Sequence, residues 1–276
     1  MSAWQSNTLT VNGARLHYTR TGGDKPPLLM AHGFSDDGLC WTLVAEALES
    51  QYDIIMPDAR GHGLTEVTEE SITPRHMVND LKAIIDGLGL HNPIMLAHSM
   101  GALMTLAFAG TYPDIPKAIL LEDPPAWWYE GAIPLAKTPE DYAQVHAGLL
   151  SLKTQSKEAL IAQRRQGSPT WSDAELGYWA DSKLRLSPAA LQMFQPSIQP
   201  SLDWKALSQQ ITCPVLVLTA DASLGGLISD EGAAALKKLI PQLEVAHIGG
   251  AGHSVHREQM QKYMTAVKAF LADLTD

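Results

Sequence analysis

Three kinds of side chain that together could do nucleophilic chemistry stand far apart in this chain. Ser99 lies in Ala97-His98-Ser99-Met100-Gly101, His253 in Gly249-Gly-Ala-Gly252-His253, and candidate carboxylates lie in Glu122-Asp123-Pro124-Pro125 and at Asp221. A neutral hydroxyl is a poor nucleophile, so an attacking serine needs an imidazole within hydrogen-bond reach and a third group to hold that imidazole. Around Ser99 an apolar run of strand length, Pro93 to His98, meets an Ala- and Leu-rich helical pattern that ends at Tyr112-Pro113. A serine at the apex of such a turn leaves the end of the sheet with its hydroxyl facing a helix amino terminus, where unpaired N–H groups bind a developing negative charge. Strand and helix backbones nearly collide there, which demands small residues two before and two after the serine. Ala97 and Gly101 meet the demand. Alone, the pentapeptide also reads as an ordinary helix cap.

His253 follows the strand-like run Leu243-Glu-Val-Ala-His-Ile, in a Gly-rich loop whose backbone is free to bring an imidazole over the carboxyl edge of a sheet. His256 with His253 makes an H-x-x-H pair, which alone is no metal site. His98 reads as a packing or hydrogen-bonding residue, pointing away from Ser99 across the strand.

The elements that must position these groups are legible as patterns. Thr8 to Val11 and Ala14 to Thr19 alternate around Asn12-Gly13, a hairpin signal. Pro27 to Ala31, Tyr52 to Pro57, Pro93 to His98, Lys117 to Leu121 and Cys213 to Ala220 are continuously apolar, as strands buried on both faces are. Helical spacing fills Gly38 to Ser50, Thr73 to Leu88, Asp230 to Ile240 and Gln259 to Leu274. Strands alternating with helices imply an α/β fold: a mostly parallel central sheet with helices on both faces. The alternation breaks between Ala126 and about Trp204, where the pattern is helical and interrupted at Pro134, Pro139, Pro169, Pro188, Pro196 and Pro200. The expected organisation is a core of 1–125 and 206–276 with a helical cap insertion at 126–205.

Composition removes several function classes. A hydrophobic content of 45% with 18% charged residues is that of a globular chain, and a formal net charge of -10 disfavours nucleic acid and anionic membranes as partners. No apolar run approaches the roughly 18 residues of a membrane span. Cys40 and Cys213 have neither disulfide-framework nor metal spacing, and the start, Met-Ser-Ala-Trp-Gln-Ser-Asn, has no secretory pattern, so a cytoplasmic location is expected. Oligomeric state is not legible.

The Ser99 stretch resembles the nucleophile elbow of the α/β-hydrolase superfamily, with Ala97 where the usual pattern has glycine. The resemblance covers nearly the whole chain. It implies Ser99 as nucleophile, His253 as base, and Met100 and Phe34 N–H groups as the oxyanion hole, since His32-Gly33-Phe34 matches the superfamily's loop after its third strand. Asp58-Ala-Arg60-Gly61-His62-Gly63 also resembles a family signature, and is assigned a structural role beside that loop.

The acid is left open by the pattern. Superfamily acids usually follow the seventh strand, three residues after its end. Counting from Ala220 reaches Ser223, so Asp221 comes two residues early. The other position is the end of the sixth strand, where some haloalkane dehalogenases and zearalenone lactonase look closer to Glu122, and lipases with Asp-Pro look closer to Asp123. Pro124 should restrict Asp123 to extended backbone, and Asp123 is preferred.

The expected activity is a serine hydrolase acting on a carboxylic ester or lactone of a small apolar or aromatic molecule, without cofactor or metal. Trp127 and Trp128, leaving the catalytic edge just after Pro125, are the expected substrate contacts. Tyr129 continues that run, of which at least one ring should face the site, whereas Trp171, Trp179 and Met193 are pocket candidates that read more readily as packing within the cap. Serine at the elbow argues against dehalogenases and epoxide hydrolases, which use aspartate there. A dienoate-type carbon–carbon bond hydrolase would use the same residues, with Arg164, Arg165 or Arg185 holding a carboxylate. A ligand receptor like the karrikin and strigolactone receptors would keep the triad with little turnover.

Overall fold

The computed structural model describes residues 4–11, 13–67, 72–132, 138–195 and 201–274. Its frame is one sheet. Strands β1 (Gln5–Val11) and β2 (Ala14–Arg20) form an antiparallel hairpin, although Asn12 of the expected turn lies outside the described residues. β3 (Pro27–Ala31), β4 (Asp53–Pro57), β6 (Ile94–His98), β7 (Ala118–Glu122), β8 (Val215–Ala220) and β9 (Leu243–Ile248) run parallel to one another, in the order β1-β2-β4-β3-β6-β7-β8-β9. A two-residue strand not anticipated from sequence, β5 (Glu66–Val67), pairs with β2.

The continuously apolar strands are buried along their length because both faces are covered. Met95, Ala97, Ile119, Leu121, Val215 and Val217 pack to one side, with α2 (Pro74–Gly87) and α3 (Ser99–Thr111). Ile94, Leu96, Ala118, Leu120, Leu216 and Leu218 pack to the other, with α1 (Thr42–Leu48) and α10 (Met260–Asp273). The period of two along each strand thus feeds two separate cores. The parallel strands end together, and β3, β6, β7 and the β9 turn deliver Phe34, Ser99, Asp123 and His253 to one edge.

Between β7 and β8 the regular elements among the described residues are helical, as the pattern predicts: α4 (Pro139–Leu152), α5 (Lys157–Gly167), α6 (Asp173–Arg185), a 3-10 turn over Pro188–Phe194, and α7 (Trp204–Gln209). Pro139 and Pro188 start their helical segments rather than interrupt them, which suits a residue with no N–H to donate. Pro134, Pro196 and Pro200 lie outside the described residues. After β8 come α8 (Asp230–Leu239), the short α9 (Val255–Glu258) and α10, so the expected last helix is preceded by one additional turn.

A buried charge network ties the helical segment to the sheet. Asp36, in the loop after β3, accepts from Lys183 Nζ at 2.8 Å and from Arg257 Nη2 at 2.9 Å, and Arg257 Nε donates to Glu175 at 3.1 Å. Lys183 and Glu175 belong to α6, and Arg257 to α9. Burial alone would raise the Asp36 carboxyl, but the Arg257 and Lys183 cations overrule it and hold it well below the usual carboxylate range. Two anions and two cations cancel. Removing one member would strand a buried charge, a loss of roughly 3–5 kcal/mol.

Candidate active site

Ser99 follows the last residue of β6 directly and opens α3, with φ at +51°. A left-handed serine between strand and helix is a strained position, held by the packing around it. The packing is that of the collision inferred from sequence: a Cβ on Gly101 would lie 2.4 Å from the Ala31 carbonyl oxygen and 2.5 Å from that of His32. Any side chain there would push β3 away from α3.

His253 is brought beside Ser99 by the loop after β9. Its Nε2 lies 2.9 Å from Ser99 Oγ and its Nδ1 2.6 Å from Asp123 Oδ2. Asp123 is completely buried, whereas a third of the His253 side chain is exposed. The Leu227 N–H donates to both Asp123 oxygens, at 3.0 and 2.9 Å, and the Ile228 N–H donates to Oδ1 at 3.2 Å. Donors of this kind fix an ionised carboxylate in place and compensate its burial. One expectation fails: Asp123 is not extended before Pro124 but has φ at +41°. The reason is tertiary. Its N–H is held by the Leu218 carbonyl and its carboxylate by the 227–228 backbone, and these bonds override the local preference.

The other two carboxylates have different partners. Asp221 accepts from the Gly250 N–H at 2.7 Å and the His247 Nε2–H at 3.0 Å, which join the ends of β8 and β9, and the first of these is the chief cause of its lowered carboxyl pKa. Glu122 points to the opposite side of β7 from Asp123, as neighbours at a strand end do. It is buried and accepts from His256 Nδ1 at 2.8 Å and from the His256 backbone N–H at 3.1 Å. His253 and His256 therefore serve separate carboxylates.

His98 is the packing and hydrogen-bonding residue expected: on the Ile94 and Leu96 face of β6 its ring meets those of His253 and His256, and its Nε2–H donates to the His253 carbonyl oxygen at 3.0 Å. The Asp58 segment has the expected structural role: Asp58 accepts from the N–H groups of Gly38 and Leu64, both at 2.7 Å, and from His17 Nδ1 at 2.7 Å. The Ala59 N–H donates to His32 Nε2 at 2.9 Å, and His62 packs edge-on to Phe34 at 5.3 Å.

A small apolar cavity opens in front of Ser99, walled by Phe34, Met100, Leu103, Met104, Pro125, Trp127 and Met193. Trp127 is at the expected place and Trp128 is not. Trp128 is 1% exposed, packed in the core, with its Nε1–H donated to the Gly232 carbonyl at 2.9 Å. Leu103 was missed from sequence, though its position one helical turn beyond Ser99 on α3 is the signal that finds it. No arginine lines this cavity among the described residues. Arg185 pairs with Asp37 at 2.9 Å, Arg165 with Asp173 at 2.5 Å, and Arg164 stacks on Trp171 with 4.3 Å to the ring centroid.

Burial sets the charge state of the surrounding imidazoles. His62, His98 and His256 are each lowered to about 3, chiefly by desolvation. All three are neutral in the fold and take up a proton on unfolding below their ordinary value of 6.5. Their contribution to stability is complete above about pH 6.5, falls as the pH drops, and is exhausted only near 3. Glu122 and Asp37, both raised chiefly by burial, work in the opposite sense. With three histidines against two carboxyls, the unfolding free energy from urea titrations should fall from pH 7 to pH 5, at a net of about one proton, roughly 1.4 kcal/mol per pH unit once the unfolded imidazoles are charged. A free energy that stays level over that range would show these histidines to be solvated.

The class follows from the fold and the elbow, and comparison agrees. The chain belongs to the α/β-hydrolase fold family, whose model matches residues 26–259. Over 266 residues it is 26% identical to an N-formylmaleamate deformylase of Pseudomonas putida, a match covering 95% of each chain. Over 257 residues it is 26% identical to a 2-(acetamidomethylene)succinate hydrolase of Mesorhizobium japonicum, covering 91% of this chain and 90% of that one. In structure it is similar to the N-formylmaleamic acid deformylase of Pseudomonas putida S16, with a TM-score of 0.80 and 24% identity, over 95% of this chain and all of that one. No helix among the described residues is long and apolar enough to cross a membrane.

Proposed function

We propose that this hydrolase cleaves a carboxylic ester or lactone of a small, neutral, apolar or aromatic molecule through an acyl-enzyme. In this reading Ser99 attacks the carbonyl while His253 takes the serine proton at Nε2, and Asp123 stabilises the imidazolium as it forms. The Met100 and Phe34 N–H groups receive the oxyanion. His253 then returns its proton to the departing alcohol, and in the second half-reaction it deprotonates the water that releases the acid. The helical segment at 126–205 acts as a cap over the cavity, and the free, buried Cys40 and Cys213 fit a cytoplasmic setting.

The observation that carries the choice of substrate is the apolar wall in front of Ser99, with its three arginine candidates engaged elsewhere. A dienoate carboxylate would find no cation among those lining residues. A second reading, release of a formyl or acetyl group from nitrogen, is favoured by the names of the two relatives and by the small size of the cavity. Hydrolysis of a panel containing acetate and benzoate aryl esters, a small lactone, N-formyl and N-acetyl amides, and a dienoate tests the proposal. Turnover only of the dienoate or the amides would replace the ester reading, and turnover of none would favour a receptor.

The two tryptophans should separate in the same assay. Trp127→Ala is expected to raise KM for the benzoate ester several-fold more than for the acetate ester. Trp128→Ala is expected to cost about 3–5 kcal/mol of stability instead, as removal of a buried indole does, with KM for both esters little changed at a temperature where it is folded. Equal KM effects of Trp127→Ala on both esters would make that ring only a packing residue.

A further inference from the structure

We propose that His98 is a positioning residue: its imidazole clamps the backbone of His253 and the Gly33-Phe34 turn against the elbow, setting the distance over which the proton moves. The proposal rests on the serine-hydrolase reading. His98 ends β6, so its own backbone leads directly into Ser99. Its Nε2–H meets the His253 carbonyl at 3.0 Å, and the two rings lie 4.8 Å apart between centroids, tilted by 44°. On its other side the ring occupies the space that Gly33 leaves open, since a Cβ there would lie 2.5 Å from His98 Nδ1. One neutral, buried ring therefore touches the nucleophile turn, the oxyanion turn and the base loop.

The clamp is itself backed. His256 meets the His98 ring edge-on at 5.4 Å, Trp41 stacks on His256 at 4.6 Å, and Glu122 holds both the ring and the backbone N–H of His256. The loop it restrains has three glycines, Gly249, Gly250 and Gly252, and so little stiffness of its own. Glu258 ties the Gly252 N–H at 2.6 Å and Asp221 the Gly250 N–H at 2.7 Å, whereas the His98 bond falls on the backbone of His253 itself. Asp123 sets the rotation of the imidazole, while His98 sets the point from which it projects.

The test compares His98→Gln, whose amide nitrogen reaches about as far as Nε2, with His98→Asn, which is one methylene too short. With an aryl acetate ester, His98→Asn is expected to lower kcat by about 10–100-fold, the scale of an ångström-size misplacement, with KM within about threefold, while His98→Gln recovers most of the rate. The low-field proton NMR signal of the His253 Nδ1–H bonded to Asp123 should broaden in the Asn variant and persist in the Gln variant. Equal kcat values and equal signals in the two variants would overturn the proposal. If the wild-type protein turns over no ester, the ester reading fails, and the NMR comparison still decides whether His98 restrains His253.

Discussion

Ser99→Ala should abolish ester hydrolysis, lowering kcat by about 10⁵-fold or more, the size of loss seen when a triad serine is removed. The expectation comes from geometry, because Ser99 Oγ is placed against His253 Nε2, at 2.9 Å, at the mouth of the apolar cavity. The fold should survive. Alanine adopts the same strained backbone no worse than serine does, and one partly accessible hydrogen bond contributes only about 1 kcal/mol. Melting within a few degrees of wild type with activity at background is the result expected. Activity near the wild-type level, measured against protein prepared in parallel without the hydrolase, would end the reading of Ser99 as nucleophile.

The second large effect separates the three carboxylates. Asp123→Asn is expected to lower kcat by about 10³–10⁴-fold, because the amide presents a donor where the His253 Nδ1–H needs an acceptor and so favours the wrong tautomer. Residual turnover remains, since the nucleophile and the oxyanion donors are untouched. Asp221→Asn should change kcat by less than about tenfold, because its carboxylate bonds His247 and the Gly250 N–H, not His253. Glu122→Gln should act mainly on stability, as it weakens the seat of His256. A loss of activity concentrated in Asp221→Asn or Glu122→Gln would move the acid to that residue.

Much of this site could be read in advance because its requirements are local. Ser99 and Gly101 declare the elbow through strand, turn and helix in one continuous stretch, and the buried strands declare the parallel sheet through unbroken apolar runs. Asp123 could be favoured over Asp221 by its place relative to a strand end. Its left-handed backbone could not be foreseen, because the bonds that impose it come from residues 227 and 228, about a hundred positions downstream. Trp127 and Trp128 were inseparable for a related reason. They lie in an irregular turn with no period to assign their faces, and only the approach of Gly232 decides which ring is swallowed by the core. Alternation along β6 could assign His98 its face, but not its partner, the His253 backbone 155 positions further on.

The four-charge knot of Asp36, Glu175, Lys183 and Arg257 bears on how such proteins can be recombined. Its members come from the loop after β3, from α6 twice, and from α9. Neither parent of a chimera would betray the difficulty in its own segment. A helical segment grafted onto this sheet without a cation at position 183 and an anion at position 175 would leave Asp36 and Arg257 facing each other alone. Exchange of the segment between β7 and β8 within this family should therefore succeed or fail on whether these positions travel together, whereas replacing only the residues that face the cavity leaves the knot intact and should preserve the fold.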